Sequence, residues 1–351
     1  MTLRQVEGLP GAPWDAPLQG RLDVLTVESE LLRGNVLGDP HRRPLYVYLP
    51  PGFDESQRYP TIYLLHYYSG RATFLVEPQD FEPRVIDRVD ALFARKEAAV
   101  PRAIVVVPDA WTRFGGAQWI NSVSTGPYMD YLCDEVVPFV DSRYPTIAER
   151  DHRGVSGHSS GGYAAMVLSM LRPDVFGGLV AQGSDSLFEH CYRNDFASAA
   201  RTLRDRYDGS YEMFLEAFTS VDPFDRGKDG LLLELYAMAT CYSPDEANPG
   251  KALLPFDTET GAVITDVWDK WLGWDPVHMV PAHADALASM ELIHIEAGSS
   301  DEYYLDLGAQ AVSDAMTDAG VDHDLELFEG RHGGIRNRYP MAVERLARAL
   351  Q

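Results

Sequence analysis

Gly157-His158-Ser159-Ser160-Gly161 lies where a short strand over 153–156 has to turn sharply into an apolar helix. A serine held between small residues at such a junction constrains the chain more than any other feature, because a tight strand-to-helix turn leaves no room for Cβ atoms at its flanks. The Ser159 hydroxyl then projects at the top of a sheet. Gly162 extends the small-residue run, and Tyr163-Ala164-Ala165-Met166-Val167-Leu168 continues as a helix apolar on most sides, as packing on a central sheet requires; Pro173 ends it. A glycine- and serine-rich turn can also simply join two elements, so the chemical reading depends on partners for the serine.

A serine hydroxyl is a poor nucleophile at neutral pH unless a base and an orienting acid reach it. Leu292-Ile293-His294-Ile295 reads as a buried strand, and Asp301 follows it in a turn. A helical pattern over 302–319 runs through Leu305, Ala309, Val312 and Met316 and closes at Gly320. Leu325-Glu326-Leu327-Phe328 is the next strand, and His332 follows it in Gly330-Arg331-His332-Gly333-Gly334. A strand, helix, strand succession of this length is a right-handed crossover in a parallel sheet, which brings both strand ends to one edge. Open parallel sheets carry their chemistry outside the carboxyl ends of their strands, so Ser159, Asp301 and His332 converge there. The chain order Ser, Asp, His is that of the α/β-hydrolase fold. In this reading His332 takes the Ser159 proton and Asp301 fixes the imidazole tautomer.

Three rivals are weighed. Asp185, in Gly183-Ser184-Asp185, also follows an apolar strand (178–181) and is an alternative acid; Asp301 is preferred for its adjacency to His332. Glu302 begins the helical pattern, where its charge is explained by the helix dipole. His158 is expected to pack beneath the nucleophile, pointing away from Ser159. For the oxyanion, the backbone N–H of Ser160 is one expected donor. The second is assigned to the loop His66-Tyr67-Tyr68-Ser69-Gly70 after the apolar strand Thr61-Ile62-Tyr63-Leu64-Leu65, from Tyr67 or Tyr68, with Tyr68 preferred.

Taken together, Leu45-Tyr46-Val47-Tyr48-Leu49-Pro50-Pro51-Gly52-Phe53, Tyr63-Leu64-Leu65-His66, Val107-Pro108-Asp109, Gly157-His158-Ser159-Ser160-Gly161-Gly162, and Asp301-Glu302 with His332-Gly333-Gly334 resemble the putative-esterase family. That family includes S-formylglutathione hydrolases, feruloyl esterase modules, enterochelin esterases and the antigen 85 mycolyltransferases. The stretch from Asn121-Ser122 through Gly126-Pro127-Tyr128-Met129-Asp130 to Asp141 also resembles the family's helix before the elbow. The resemblance covers about residues 23–182 and 291–351. It implies a serine esterase working through an acyl-enzyme, with an acyltransferase as the alternative and a hydrolase-fold binding protein that has lost activity as the more distant one. Two departures stand out: relatives usually have His-Gly and a small residue where this chain has His66-Tyr67-Tyr68, and a methionine where it has Ser160. Neither removes a backbone donor.

The 351 residues, 45% hydrophobic, suffice for one enlarged α/β domain or two domains. Thirty basic against 53 acidic residues leave a formal charge of −23, a field that repels nucleic acid and anionic membrane surfaces, so the expected partner is the small-molecule ester that the resemblance implies. No run approaches the ~18 apolar residues of a membrane span, and the start Met1-Thr2-Leu3-Arg4-Gln5 lacks a signal-peptide core, which predicts a cytoplasmic protein. Cys133, Cys191 and Cys241 lack metal-ligand spacing and read as buried thiols, and neither metal nor cofactor is expected. An assembly of identical chains is left open.

Residues 1–22, rich in Pro and Gly, are expected to form an irregular arm. Strands at 24–32 and 45–49 read as an antiparallel opening to the sheet, followed by core strands at 62–66, 104–107, 154–156, 179–181, 292–295 and 325–328. The hydrolase core thus comprises 23–182 and 291–351. Between them, 183–290 exceeds the single helix such a core needs. Helical stretches near 196–206, 211–218 and 231–240 and the segment bearing Trp268, Trp271 and Trp274 read as a helical cap. Trp271 and Trp274, with Tyr67, are candidate substrate contacts; helix-like spacing of tryptophans more often signals a core stripe.

Overall fold

A computed structural model of the chain describes residues 16–351 apart from 79–81, 96–99 and 221–225. Eight strands form one sheet: β1 (Arg21–Glu28), β2 (Arg42–Leu49), β3 (Thr61–Leu65), β4 (Ile104–Pro108), β7 (Arg153–His158), β8 (Gly178–Gln182), β9 (Leu292–Gly298) and β10 (Asp324–Phe328). A two-stranded ribbon, β5 (Asn121–Ser122) and β6 (Gly126–Pro127), lies outside it. The sheet order is β1-β2-β4-β3-β7-β8-β9-β10. Pairings of β2 with β1 and with β4 are antiparallel, and all the others are parallel. This is the α/β-hydrolase sheet anticipated from the sequence.

The pleat divides the core. Tyr63, Leu65, Val106, Val155 and Leu179 face the layer that holds the helix Ser160–Leu171, whereas Ile62, Leu64, Val105, Val107 and Val180 face the helices Val85–Phe93 and Tyr339–Ala349. Parallel strands covered on both faces must be apolar throughout, and β3, β4 and β8 are buried at every position. Each such Val, Leu or Ile contributes about 1.5–3 kcal/mol of burial.

The sheet starts earlier than the sequence suggests. β1 begins at Arg21, inside the expected arm, and ends at Glu28 rather than continuing to residue 32. Its partner β2 dictates this register, pairing Arg21 with Leu49 and Glu28 with Arg42. An edge strand needs an apolar side chain only on its covered face, so its polar ends carry no apolar signal. The Asp90 carboxylate ties the entering chain down, accepting from the Gln19 and Gly20 N–H groups and from the Tyr48 hydroxyl. Residues 1–15 of the expected arm lie outside the described residues.

Helices follow β8 before the sheet resumes at β9: Phe196–Tyr207, Tyr211–Thr219, Arg226–Tyr242 and Thr265–Leu272, close to the expected stretches. They pack through aromatic side chains, with Phe196 against Phe256 and Trp268, and Tyr211 against Tyr236. Cys133, Cys191 and Cys241 are buried free thiols. Among the described residues no helix is long and apolar enough to cross a membrane.

Candidate active site

Ser159 sits directly beyond β7 in a left-handed conformation, φ 56° and ψ −124°, outside the region an L-residue ordinarily occupies. Such a backbone costs on the order of 1–3 kcal/mol and persists only where neighbours hold it. Here the Ser159 N–H donates to the Gln182 carbonyl at 2.9 Å, and the Ser159 carbonyl accepts from the Tyr163 N–H at 2.8 Å. The glycines are steric necessities. A Cβ on Gly157 would stand 2.6 Å from the Gly161 carbonyl carbon, and one on Gly161 would strike the Leu65 carbonyl oxygen.

His332, in the loop after β10, reaches this serine: its Nε2 is 3.1 Å from Ser159 Oγ. Its Nδ1 is 2.8 Å from Asp301 Oδ2. Asp301 follows β9 and is 6% exposed; its other oxygen accepts from the Tyr303 N–H at 2.9 Å. An ionised carboxylate only accepts, so the His332 proton sits on Nδ1 and the Nε2 lone pair faces the serine hydroxyl. Burial alone would lower the affinity of His332 for a proton. The hydrogen bond and charge of Asp301, with the charges of Asp185 and Glu302, outweigh it and raise its pKa above the ordinary 6.5.

Two expectations are corrected at this loop. The helix after Asp301 is Leu305–Asp318, three residues shorter at its start than the pattern suggested, because Tyr304 takes a left-handed conformation at its cap. Glu302 therefore precedes the helix; its carboxylate accepts from the His332 N–H at 3.0 Å and pairs with Arg331 at 3.2 Å, holding the histidine loop. His158 does not sink beneath the serine. Its ring lies against His332 with centroids 4.4 Å apart, and it borders the cavity. Burial, and then the neighbouring His332, keep it neutral by holding its pKa well below the usual range.

Asp185 comes to the serine rather than to the histidine's far side. Its Oδ1 is 3.4 Å from Ser159 Oγ, while its Oδ2 accepts from Tyr192, Gln118 and Ser160. Nothing in the sequence marked Gln118 or Tyr192. The signal that places Gln118 is conformational, since Gln118 and Trp119 take consecutive positive φ angles of 50° and 57°.

The loop after β3 is pinned by His66. Its Nε2 accepts from the Ala110 N–H at 2.9 Å, which leaves the proton on Nδ1 to donate to the Tyr67 carbonyl at 3.0 Å. Desolvation lowers its pKa, consistent with the neutral ring this bonding requires. The Tyr68 ring lies over Gly115, where a Cβ would stand 3.0 Å from its Cε2, so the bulk that replaces a small residue is matched by a bare backbone opposite. Ser160 is the first residue of its helix, and its N–H therefore has no partner within that helix.

A cavity of about 1100 Å³ opens over Ser159, bordered by Tyr67, Tyr68 and His332 from the sheet edge and by Tyr192, Phe218 and Leu231 from the segment between β8 and β9. Trp271 and Trp274 do not border it. Trp271 is fully buried, donates from Nε1 to Ser243 Oγ at 2.8 Å and packs edge-on against Tyr192 and Tyr242; Trp274 is half-buried against the same core. Helical spacing reports a shared face, and this face turns inward. Two groups of possible metal-ligating side chains occur among the described residues, and none of their members borders the cavity over Ser159. In one of them Glu296 and Glu326 already share the guanidinium of Arg338.

A family model described as putative esterase matches residues 39–334. An endo-1,4-beta-xylanase/feruloyl esterase of Xylanibacter ruminicola is 29% identical over 148 residues, 39% of this chain and 19% of that protein. An esterase of Mycobacterium tuberculosis is 34% identical over 126 residues, 34% of this chain and 24% of that protein. The matches thus span less than a quarter of either relative's length. Among solved structures, a ferulic acid esterase superposes with a TM-score of 0.61 at 18% identity, covering 95% of this chain and 100% of that one. An S-formylglutathione hydrolase from Agrobacterium tumefaciens gives 0.55 at 15%, covering 96% and 98%. At these identities the likeness establishes the fold.

Proposed function

The chain belongs to the putative-esterase family, and from that premise we propose that it is an ester hydrolase in which Ser159, His332 and Asp301 cleave a carboxylic ester through an acyl-enzyme. The observation that carries this reading is the unbroken hydrogen-bonded line from Ser159 Oγ to His332 Nε2 and from His332 Nδ1 to Asp301. His332 removes the serine proton as Oγ attacks the carbonyl carbon, and the imidazolium so formed is stabilised by Asp301. The backbone N–H groups of Ser160 and Tyr68 receive the developing oxyanion, an interaction whose loss typically costs about 2.7–4 kcal/mol. His332 returns the proton to the departing alcohol. Water then enters, is deprotonated by the same nitrogen, and releases the acid.

The division of labour assigns generic chemistry to the core, 23–182 and 291–351, and substrate selection to 183–290 as a cap, since that segment supplies Tyr192, Phe218 and Leu231 to the cavity wall. A small-molecule ester is the partner this arrangement takes.

A fluorophosphonate probe tests the nucleophile directly. One equivalent should attach to the wild type and none to Ser159→Ala; labelling that survives the substitution would remove Ser159 from the mechanism. The pH profile tests the base. Attack requires neutral His332, so kcat/KM should fall as pH drops through its pKa, and because Asp301, Asp185 and Glu302 raise that pKa the acid limb should inflect above 6.5. Glu302→Gln should move the limb downward. An inflection below 6.5 in the wild type would contradict the electrostatic account.

A further inference from the structure

The Asp185 carboxylate stands beside the nucleophile, and the mechanism above gives it no step. It lies in the turn after β8, 7% exposed and on the cavity wall. Three donors converge on Oδ2: the Tyr192 hydroxyl at 2.8 Å, the Gln118 amide at 3.0 Å and the Ser160 hydroxyl at 3.1 Å. They grip the carboxylate from three separate segments and turn Oδ1 toward Ser159 Oγ at 3.4 Å. The Ser159 proton leaves for His332 during attack, so Oδ1 is an acceptor held ready at the reacting centre.

Three groups surround the tetrahedral carbon formed on Ser159 Oγ. The oxyanion needs donors, and a carboxylate facing it would raise its energy. The leaving oxygen has to face His332 Nε2 to receive a proton. The acyl substituent is the group left to face Oδ1. An atom attached to the carbon next to the carbonyl is separated from Oγ by two atoms and stands about 3 Å from it, so, on the Oδ1 side of a serine oxygen 3.4 Å from Oδ1, it can reach a hydrogen-bond distance of ~2.8 Å. A plain alkyl group there would strip water from Oδ1 and replace it with nothing.

Building on the assignment of Ser159 as nucleophile, we propose that the acyl pocket selects esters of α-hydroxy or α-amino acids, with the donor on the α-carbon bound by Asp185 Oδ1. Asp195 and Glu234, on the cavity wall from the segment between β8 and β9, extend the acidic character of this side. Across the cavity, Arg336 is held by Glu82 at 3.5 Å and stacked on Phe74, and Arg113 is the other cation of the wall. Four carboxylates and two guanidiniums line the space, counting Glu82, so an acyl group bearing its own carboxylate is disfavoured.

Lactoyl, 2-methoxypropionyl and isobutyryl esters of one alcohol separate the donor from its side effects. Methylation keeps the electron-withdrawing oxygen but removes the donor, and the isobutyryl group keeps the size but has no oxygen. Wild-type kcat/KM should favour lactoyl over both by about ten- to a hundredfold. The alanyl ester, run alongside, distinguishes a charged donor from a neutral one. In Asp185→Asn the amide oxygen has to stay with its three donors, so the NH2 group faces the substrate, and the lactoyl preference should collapse or invert. A wild-type preference below twofold over the methoxy ester would overturn the proposal whether or not the variant folds, as would a preference that persists undiminished in Asp185→Asn. Failure of all the esters together with absent fluorophosphonate labelling would instead bring down the assignment of Ser159 itself, and the proposal with it.

Discussion

Replacing Ser159 or His332 by Ala is expected to lower kcat by at least about a thousandfold with the fold retained, because groups that act as one unit lose nearly everything when either is removed. The two side chains face one another across a hydrogen bond of 3.1 Å at the mouth of a cavity. Neither carries a core: Ser159 is too small to leave a large void, and His332 stands on an exposed loop tethered by Glu302 and Asp301. Circular dichroism alongside kinetics checks both halves of the expectation. Asp301→Asn should also be severe, through the wrong imidazole tautomer, for every ester tested. Asp185→Asn should discriminate among acyl groups instead. If it were the uniformly crippling change while Asp301→Asn retained activity, the acid role would pass to Asp185.

Trp271→Ala is expected to cost about 3–5 kcal/mol of stability, the range for deleting a buried Trp. The side chain is fully buried, touches Phe196, Trp268, Tyr192 and Tyr242, and its loss leaves the Ser243 hydroxyl without its indole donor. The ratio of kcat/KM between short and bulky acyl esters should stay where it is, because Trp271 borders no part of the cavity. Denaturant midpoints and two-substrate kinetics on the variant provide the check. A ratio shifted by about tenfold or more with stability intact would return Trp271 to the pocket wall. Trp274, half-buried against the same core, should behave likewise with a smaller stability loss.

The elbow, the strand ends and the Ser, Asp, His order were legible because each depends on local sequence. Gly157 and Gly161 answer to contacts within a few residues and to one neighbouring strand, and the apolar runs of β3, β4 and β8 reflect burial on both faces. Asp301 and His332 could be brought together without coordinates, since a parallel crossover leaves its two strand ends no other edge. The spacing of Trp268, Trp271 and Trp274 could not decide between pocket wall and core stripe. Periodicity shows that Trp268 and Trp271 share a face of Thr265–Leu272, but the direction of that face depends on how the helix lies against Phe196 and Tyr242, which are far away in the sequence.

What the sequence determined by itself, then, is the sheet, the edge where Ser159, Asp301 and His332 meet and the identity of the residues gathered there, because backbone sterics, burial and crossover handedness act through short spacings or through topology. Tertiary structure alone decided the surroundings of those residues. Glu302 left its expected helix to hold the His332 loop, because Tyr304 is left-handed. His158 came up against His332 instead of lying beneath the serine. Gln118 and Tyr192 closed on Asp185 from 67 and 7 positions away to set a carboxylate beside Ser159. Contacts of this kind depend on side-chain positions to within tenths of an ångström across segments that share no sequence signal, and only the packed molecule fixes them.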